Sequence, residues 1–499
     1  MPPYDDEERD HRVAASDDDN DVGEQIRVSL TLAVECTDRS LEVPSEAIAV
    51  PATIGRQGLS AVINHLLDRR IANEDGTDME DDEEADDRLP ALKFDFILGR
   101  NNKLLRTGVE KEARRSGISL EEAILVTYFP AQEAPDFSGE SEPLPDWISA
   151  MTLVQSTSNL KLCTATYDGS IQVFEPNLEG GKENLRLTSV GSKSQAHVGP
   201  IKSLDAAMSQ DETLWVATGS MDQSLAIHYV KVGTSKLQLF AICKEGHAAA
   251  VGSVDLAVHD KVLASGDWDG GVSLWDFSNS VDPIEHAQPL KKSKTGSTTS
   301  SKKEELPAKL LSPKISIQAH SSKVSGLSWG NFEKTQNSSL DRLITGSWDH
   351  SLKVWDMERQ DCLLTLNGSR VVSCLDTSYH SSGIVATGHP DCTVRLWDVR
   401  IDATNESSLA LSDNTFKPSH REWISSVRWS RRNAYTLAST SHDGTVKVWD
   451  IRSSIPLHTV QAFDKNHKSL CIAFGSLKDT NDLIFAGGTD CVVKEYCNG

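Results

Sequence analysis

The sequence predicts an all-β, seven-bladed β-propeller preceded by a small α+β domain of the ubiquitin-like (β-grasp) type. Three observations predict it. An Asp recurs seven times, each time six residues before an aromatic or related residue. Each copy sits in a strand, tight turn, strand pattern with period-two alternation. Ahead of the array, residues 24–130 read in the order ββαββ(α)β, which is the order of a β-grasp.

Residues 1–23 read as a disordered acidic tail, because the run Asp5–Glu24 has too little apolar surface to offset the entropy of ordering. In residues 24–130, QIRVSLTLAVE reads as a strand with alternating apolar side chains and LEVPSEAIAVP as a second. LSAVINHLLDRR then sets Leu59, Val62, Ile63, Leu66 and Leu67 at helical spacing. The acidic run Glu74–Asp87 falls in an insert over residues 73–88. KFDFILG, KLLRTG, a short helix near Val109–Arg115 and the strand AILVTYFP complete the domain. Residues 131–145 are a linker or a closing strand.

The propeller is expected over residues 146–499. The repeated pairs are Asp168/Phe174, Asp222/His228, Asp269/Trp275, Asp349/Trp355, Asp391/Trp397, Asp443/Trp449 and Asp490/Tyr496. Short apolar runs ending in small residues precede each Asp, as in LASGDWD, and alternating segments such as GTVKVWD follow. A His stands upstream in five repeats: His197, His247, His320, His420 and His467. Repeats one and five lack a recognisable His, and His228 replaces the usual aromatic in repeat two, so these blades should be less rigid. The Asp-to-Asp steps are 54, 47, 80, 42, 52 and 47 residues. The long step contains KKSKTGSTTSSKKEELPAKLLSPK, which has no strand pattern, so residues 279–314 are expected to form a disordered loop rather than an eighth blade. Because the chain ends three residues past Tyr496, the last blade has no room for its own outer strand. A segment around Val126–Pro135, or just after it, is expected to supply that strand and remove the open edge.

These spacings resemble the WD-repeat (WD40) family over roughly residues 145–499. The resemblance implies that the upstream His (His247, His320), a Ser or Thr, the turn Asp and the Trp (Trp275, Trp355, Trp397, Trp449) form a buried hydrogen-bonded set in each blade. A buried carboxylate needs such partners because leaving it unpaired is costly. One active site does not need seven copies, so the Asp–His pairs read as architecture and not as acid–base catalysts.

The words GLSAVINHLL, FDFILG, LLRTG and GISLEEAILVTY, followed by a propeller, resemble the ribosome-biogenesis family of WD-repeat protein twelve, whose fungal members are the third component of the pescadillo/block-of-proliferation complex. Its N-terminal domain is of the Notchless type. The insert NEDGTDMEDDEEADD departs from the family pattern and reads as a tolerated loop expansion. The resemblance implies a scaffold for large ribosomal subunit assembly and rRNA maturation, working on pre-60S particles in the nucleolus and nucleoplasm. It implies partners of three kinds: a block-of-proliferation-type propeller protein, a pescadillo-type protein, and the AAA-type ATPase midasin, which would pull the complex off the particle. In the relatives a single Glu before the last strand of the N-terminal domain completes a Mg²⁺ site held by midasin. The matching word, Gly117–Ala123, puts that Glu at Glu121, with Glu122 the choice of a one-residue misregister. Mg²⁺ prefers hard oxygen ligands and accepts one or two carboxylates, so the residue type suits the role.

Other signals are weaker. The clusters Lys291–Lys294 and Lys302–Lys303 could serve import, touch RNA directly, or simply solubilise the loop. Trp397–Arg400 and Trp449–Arg452 match the short box of propellers that act as substrate receptors of cullin-RING ubiquitin ligases, which is the rival function. A net charge of −23 argues against broad binding to a phosphate backbone. Nine widely spaced cysteines without a Cys-x-x-Cys pair make a disulfide framework or zinc site unexpected. The acidic N-terminus has no signal-peptide core, and no stretch approaches the ~18 apolar residues of a membrane span. No phosphate loop, metal cluster, cofactor motif or nucleophile elbow is present, so no enzyme is expected.

Overall fold

The computed structural model describes residues 27–35, 39–44, 46–69, 89–99, 103–155, 160–177, 186–231, 234, 236–278, 309–330, 342–381, 383–400, 420–477 and 481–498. The Asp5–Glu24 and Glu74–Asp87 runs and both Lys clusters lie outside these residues. The chain divides into two compact units, residues 1–131 and 132–499.

The first unit is one mixed four-stranded sheet. Its strands are β1 (Arg27–Val34), β2 (Ile48–Pro51), β3 (Phe94–Leu98) and β4 (Ile124–Pro130), in the order β2-β1-β4-β3. The central pair β1 and β4 is parallel and the outer pairs are antiparallel. Alternation in β1 sends Val28, Leu30 and Leu32 into the core. The helix α1 (Arg56–Leu66) covers the sheet with Leu59 and Ile63, and α2 (Val109–Ser116) adds Val109 and Ala113. Phe94 and Tyr128 meet edge to face at 5.7 Å, and the buried Tyr128 hydroxyl donates to the Leu41 carbonyl, 2.5 Å away. Such a hydroxyl must find an acceptor once it leaves water. KLLRTG, expected as a strand, contributes only an isolated bridge from Leu104 to Ile97. The second strand is also shorter than its sequence pattern, because Arg39–Leu41 turns as a 3-10 segment.

The second unit holds seven sheets. Their innermost strands are Ile148–Gln155, Ile201–Met208, Val251–Ala257, Val324–Gly330, Cys374–Thr377, Ile424–Trp429 and Ser469–Leu477. Each contacts the next, and the seventh contacts the first, so the seven blades close into a ring. A separate apolar cluster fills each of the seven gaps between blades. In the closing gap, for example, Cys471, Phe485 and Val493 of blade seven pack on Ile148, Leu162 and Phe174 of blade one. Burial of these strand faces at ~25 cal/mol per Å² is the main force holding neighbouring blades together.

The last blade takes its outer strand from β5 (Pro135–Glu140), which pairs with Val493–Asn498 and sets Phe137 opposite Tyr496. The Val126–Pro130 stretch belongs instead to β4 of the first unit. Residues 309–311, expected within a disordered loop, form a short parallel strand on the outer edge of blade two, beside Gln238–Cys243. The chain then gives blade three its fourth strand, Ile315–Gln318. Among the described residues blade five has three strands.

Candidate functional site

The repeated polar set is best formed in blades three, four and six. In blade four, Trp355 Nε1 donates to the Thr345 hydroxyl (3.0 Å), which lies 2.7 Å from His320 Nε2; His320 Nδ1 lies 2.9 Å from Asp349 Oδ2. Blade six repeats this with Trp449, Ser439, His420 and Asp443 at 2.7, 2.8 and 3.3 Å. Burial pushes the Asp349 carboxyl up, but the Ser351 hydroxyl, the His320 ring and the Ser321 N–H outweigh it and bring it to about 2. Burial lowers the His320 and His420 pKa values despite the neighbouring carboxylates, so the rings stay neutral and act as relays in a structural chain.

Three sequence assignments are corrected here. In blade three the carboxylate beside His247 is Asp267, at 2.9 Å, not Asp269. The chain Trp275–Ser265–His247–Asp267 has the residue types of its neighbours, but its Asp comes two positions earlier, where blades two, four and six carry Ser220, Ser347 and Ser441. Asp269 is exposed, and its N–H donates to Asp267. Blade five does have a histidine: His389, fully buried, lies 2.8 Å from the Thr387 hydroxyl that Trp397 Nε1 also reaches, at 2.7 Å. It enters from the turn itself, and Asp391 is paired with Arg395 instead, at 2.6 Å. In blade seven His467 is not in the set. Phe463 is buried there, Lys494 lies over its ring at 4.5 Å, and Lys494 pairs with Asp490 at 3.1 Å. In blade two His197 bonds Thr218 and Ser224, and Asp222 accepts the Val198 and Ser224 N–H groups. His228, in the Trp position, is fully buried with neither ring nitrogen bonded among the described residues, and burial drives its pKa to about 3. In blade one Asp168 is held by Thr166 and Ser170, with Phe174 beneath.

A second polar layer lines the central channel, and the repeat pattern did not point to it. Asp205, Asp255 and Asp376 occupy matching positions of innermost strands, each accepting a backbone N–H from a blade beyond its own. Leu256 donates to Asp205 (2.8 Å), Trp329 to Asp255 (2.7 Å) and Trp429 to Asp376 (2.6 Å). Arg428 holds the matching position in blade six, 3.5 Å from Asp376. Burial, reinforced by the Asp205 charge, pushes the Asp255 carboxyl well above the usual range. The cavity these groups line measures ≈ 70 Å³, so the layer is a stitch between blades with little room for a ligand. The words SLDA, SVDL and CLDT were its sequence signal.

Glu121 and Glu122 lie on the bend joining α2 to β4. Gly117, in the left-handed region at φ 67°, ends the helix, and the Ile118 N–H bonds back to Ala113. Ile118 and Leu120 pack against the core, Ile124 is buried, and Glu121 is exposed between them. The Glu121 N–H donates to the Ser119 hydroxyl at 3.2 Å. Neither carboxylate has a partner among the described residues. The bend is thus braced on both sides while its carboxylates stay free to meet an incoming cation. Among the described residues no three His, Cys, Asp or Glu side chains group closely enough to hold a metal, so a cation met by Glu121 has to arrive with its other ligands.

The Arg residues of the two short boxes are both engaged. Arg452 pairs with Asp450 at 2.8 Å with 7% of its side chain exposed, and lies over Tyr435. Arg400 pairs with Asp398 at 2.5 Å. No helix among the described residues is long and apolar enough to cross a membrane.

A ring of blades held by repeated internal polar sets, preceded in the chain by a β-grasp unit, is a WD-repeat scaffold. The comparisons agree. Residues 26–111 match the NLE (NUC135) domain, and residues 238–276, 311–356, 360–398 and 413–450 match the WD domain, G-beta repeat. The ribosome biogenesis protein YTM1 of Lodderomyces elongisporus is 31% identical, with 95% of this chain and 97% of that protein aligned. Two ribosome biogenesis protein WDR12 homologs, from Arabidopsis thaliana (27%; 89% and 91% aligned) and Nematostella vectensis (26%; 91% and 95%), are similar throughout. The chain belongs to this WDR12/YTM1 family of ribosome biogenesis proteins.

Proposed function

We propose that this chain is a nucleolar and nucleoplasmic assembly factor for the large ribosomal subunit. Its propeller binds a block-of-proliferation-type propeller protein within a complex that also holds a pescadillo-type protein. Its β-grasp unit offers Glu121 to a Mg²⁺ held by midasin, and ATP-driven motion of that partner then releases the complex from the pre-ribosome. The observation that carries the reading is the braced bend presenting Glu121, exposed and without a partner among the described residues. A carboxylate on a pre-set bend loses little entropy on meeting a metal, and one oxygen is what an open Mg²⁺ position takes. The propeller contact, as part of a permanent complex, should bury ~2,000 Å² or more. The cullin-receptor reading has no support from the relatives, and the Arg groups of its box are occupied.

The test uses the full chain and the metal-binding domain of midasin. Binding should require Mg²⁺, vanish with EDTA, and be lost in Glu121→Ala but kept in Glu122→Ala. Intact binding by Glu121→Ala sinks the metal bridge. Affinity purification should recover pescadillo-type and block-of-proliferation-type proteins with large-subunit precursors, and recovery of cullin-ligase adaptors in their place would overturn the assembly-factor reading.

A further inference from the structure

At one mouth of the propeller channel, the starts of the innermost strands meet the turns between second and third strands. In blades four, three and one that turn bonds to the residue before the strand: Trp348 N–H to Lys323, Trp268 N–H to Ala250, Tyr167 N–H to Trp147. By the same bond from the Thr489 N–H, Lys468 stands there too, 4.0 Å from Glu422, and two further ammonium groups join it. Lys323 lies 4.3 Å from the Trp268 ring centroid and 5.1 Å from that of Trp348. Lys202 lies 4.1 Å over Tyr167 and donates to its hydroxyl. Neither has a carboxylate partner among the described residues. Burial pushes Lys323 down to about 8, and the Lys202 charge adds to the shift. Trp268 packs closely on Gly252; a Cβ there would sit 2.9 Å from the indole nitrogen. That nitrogen, out of solvent, also lacks an acceptor among the described residues. The site is rich in donors and poor in acceptors.

Around it lie exposed aromatics: Trp147 (47%), Trp348 (39%) and Trp423 (49%), with Trp348 and Trp423 in edge contact at 6.4 Å. Exposed tryptophans beside unpaired cations are the composition of an interaction hot spot. The rim also carries Glu422 and Asp269, both exposed. A polyanionic strand crossing this face would bring repeated phosphates past those carboxylates, whereas a single acidic group needs only the two lysines. Trp423 is in addition already stacked on His442, with 14° between the rings, which leaves it less open to base stacking.

We infer that this mouth docks a protein segment that sets one Asp or Glu side chain against Lys202 and Lys323 and lays flanking apolar residues on Trp147, Trp348 and Trp423. The partner is therefore an acidic–apolar loop or extended peptide. The inference does not rest on the Glu121 reading.

The test is selection of a displayed random-peptide library on the full-length chain, followed by titration of the synthesised winners. Winners should carry an acidic residue flanked by apolar ones. They should lose about tenfold or more in affinity for Lys202→Met/Lys323→Met, whose stems still cover the rings, and keep affinity for Lys202→Arg/Lys323→Arg. Thermal melts check that each variant is folded, and if the double Met variant is not, Lys202→Met alone should still weaken binding. Trp423→Ser, at the exposed rim, should weaken it independently. Winners without acidic residues, or equal affinity for the Met and parent chains, would overturn the inference. So would an oligouridylate that displaces the peptides at lower concentration than the peptides themselves, since the occupant would then be nucleic acid.

Discussion

His389 Nε2 lies 2.8 Å from the hydroxyl of Thr387, two residues back on the strand it follows, while the flanking blades four and six bring their imidazoles from segments 25 and 19 residues distant from the hydroxyl they meet. The other ring nitrogen of His389 meets the Val371 carbonyl at 2.8 Å, so the ring is satisfied on both sides. One buried position is thus filled from two different places in the repeat. His389→Ala should destabilise the chain by about 1–3 kcal/mol, comparable to His320→Ala, because each strands a buried hydroxyl and an indole relay. Denaturant unfolding of the two variants checks this, and a negligible effect for His389 alone would show that blade five does not use it.

Asp267 and Asp269 separate the local repeat from the actual bond. Asp267→Ala leaves His247 and the Gly271 and Asp269 N–H groups without an acceptor, and should cost about 2–4 kcal/mol. Asp269→Ala removes an exposed side chain and should stay within about 0.5 kcal/mol. The reverse order in a urea titration would restore the spacing-based assignment.

Acid should loosen the ring between pH 6.5 and 4 through buried histidines. Burial lowers His389 to about 4, with the Arg395 charge adding to it, and His228 to about 3, whereas an unfolded His titrates near 6.5. Below pH 6.5 the unfolded chain takes up protons that these folded rings refuse, so stability present at neutral pH falls progressively as pH drops toward 4. His228→Phe removes one such group. Its melting temperature should depend less on pH between 6.5 and 4 than that of the parent, and an unchanged slope would count against the assignment.

Glu495 has the opposite sign. It occupies a position filled by Val173, Ile227, Leu274, Val354, Leu396 and Val448 in the other six blades. It is fully buried, neither carboxyl oxygen has a partner among the described residues, and burial raises it to about 8. From pH 4.5 to about 8 the unfolded chain ionises this group while the folded one keeps it protonated, so stability is lost as pH rises, by up to about 1.4 kcal/mol per unit. Glu495→Val should raise the melting temperature, and more at pH 8 than at pH 5. A uniform shift across that range would mean that packing alone is responsible.

The sequence by itself determined the number of blades and the identity of the small domain's core. Both follow from local rules: a turn carboxylate recurs because each hairpin must cap its own N–H groups, and Leu59 and Ile63 share a face because a helix repeats every 3.6 residues. The segment carrying Glu121 was legible only through the resemblance of the word Gly117–Ala123 to the family; that Gly117 ends the helix there came from the structure. Which side chains meet across the ring was decided only by the tertiary structure. Distance along the chain does not record which way a blade faces once the circle closes. Asp376 therefore reaches Trp429, β5 reaches Val493–Asn498, and Lys323 reaches over Trp268. For the same reason Asp267 displaced Asp269 and Phe463 displaced His467. The repeat defines a place in each blade, and packing chooses the residue that fills it.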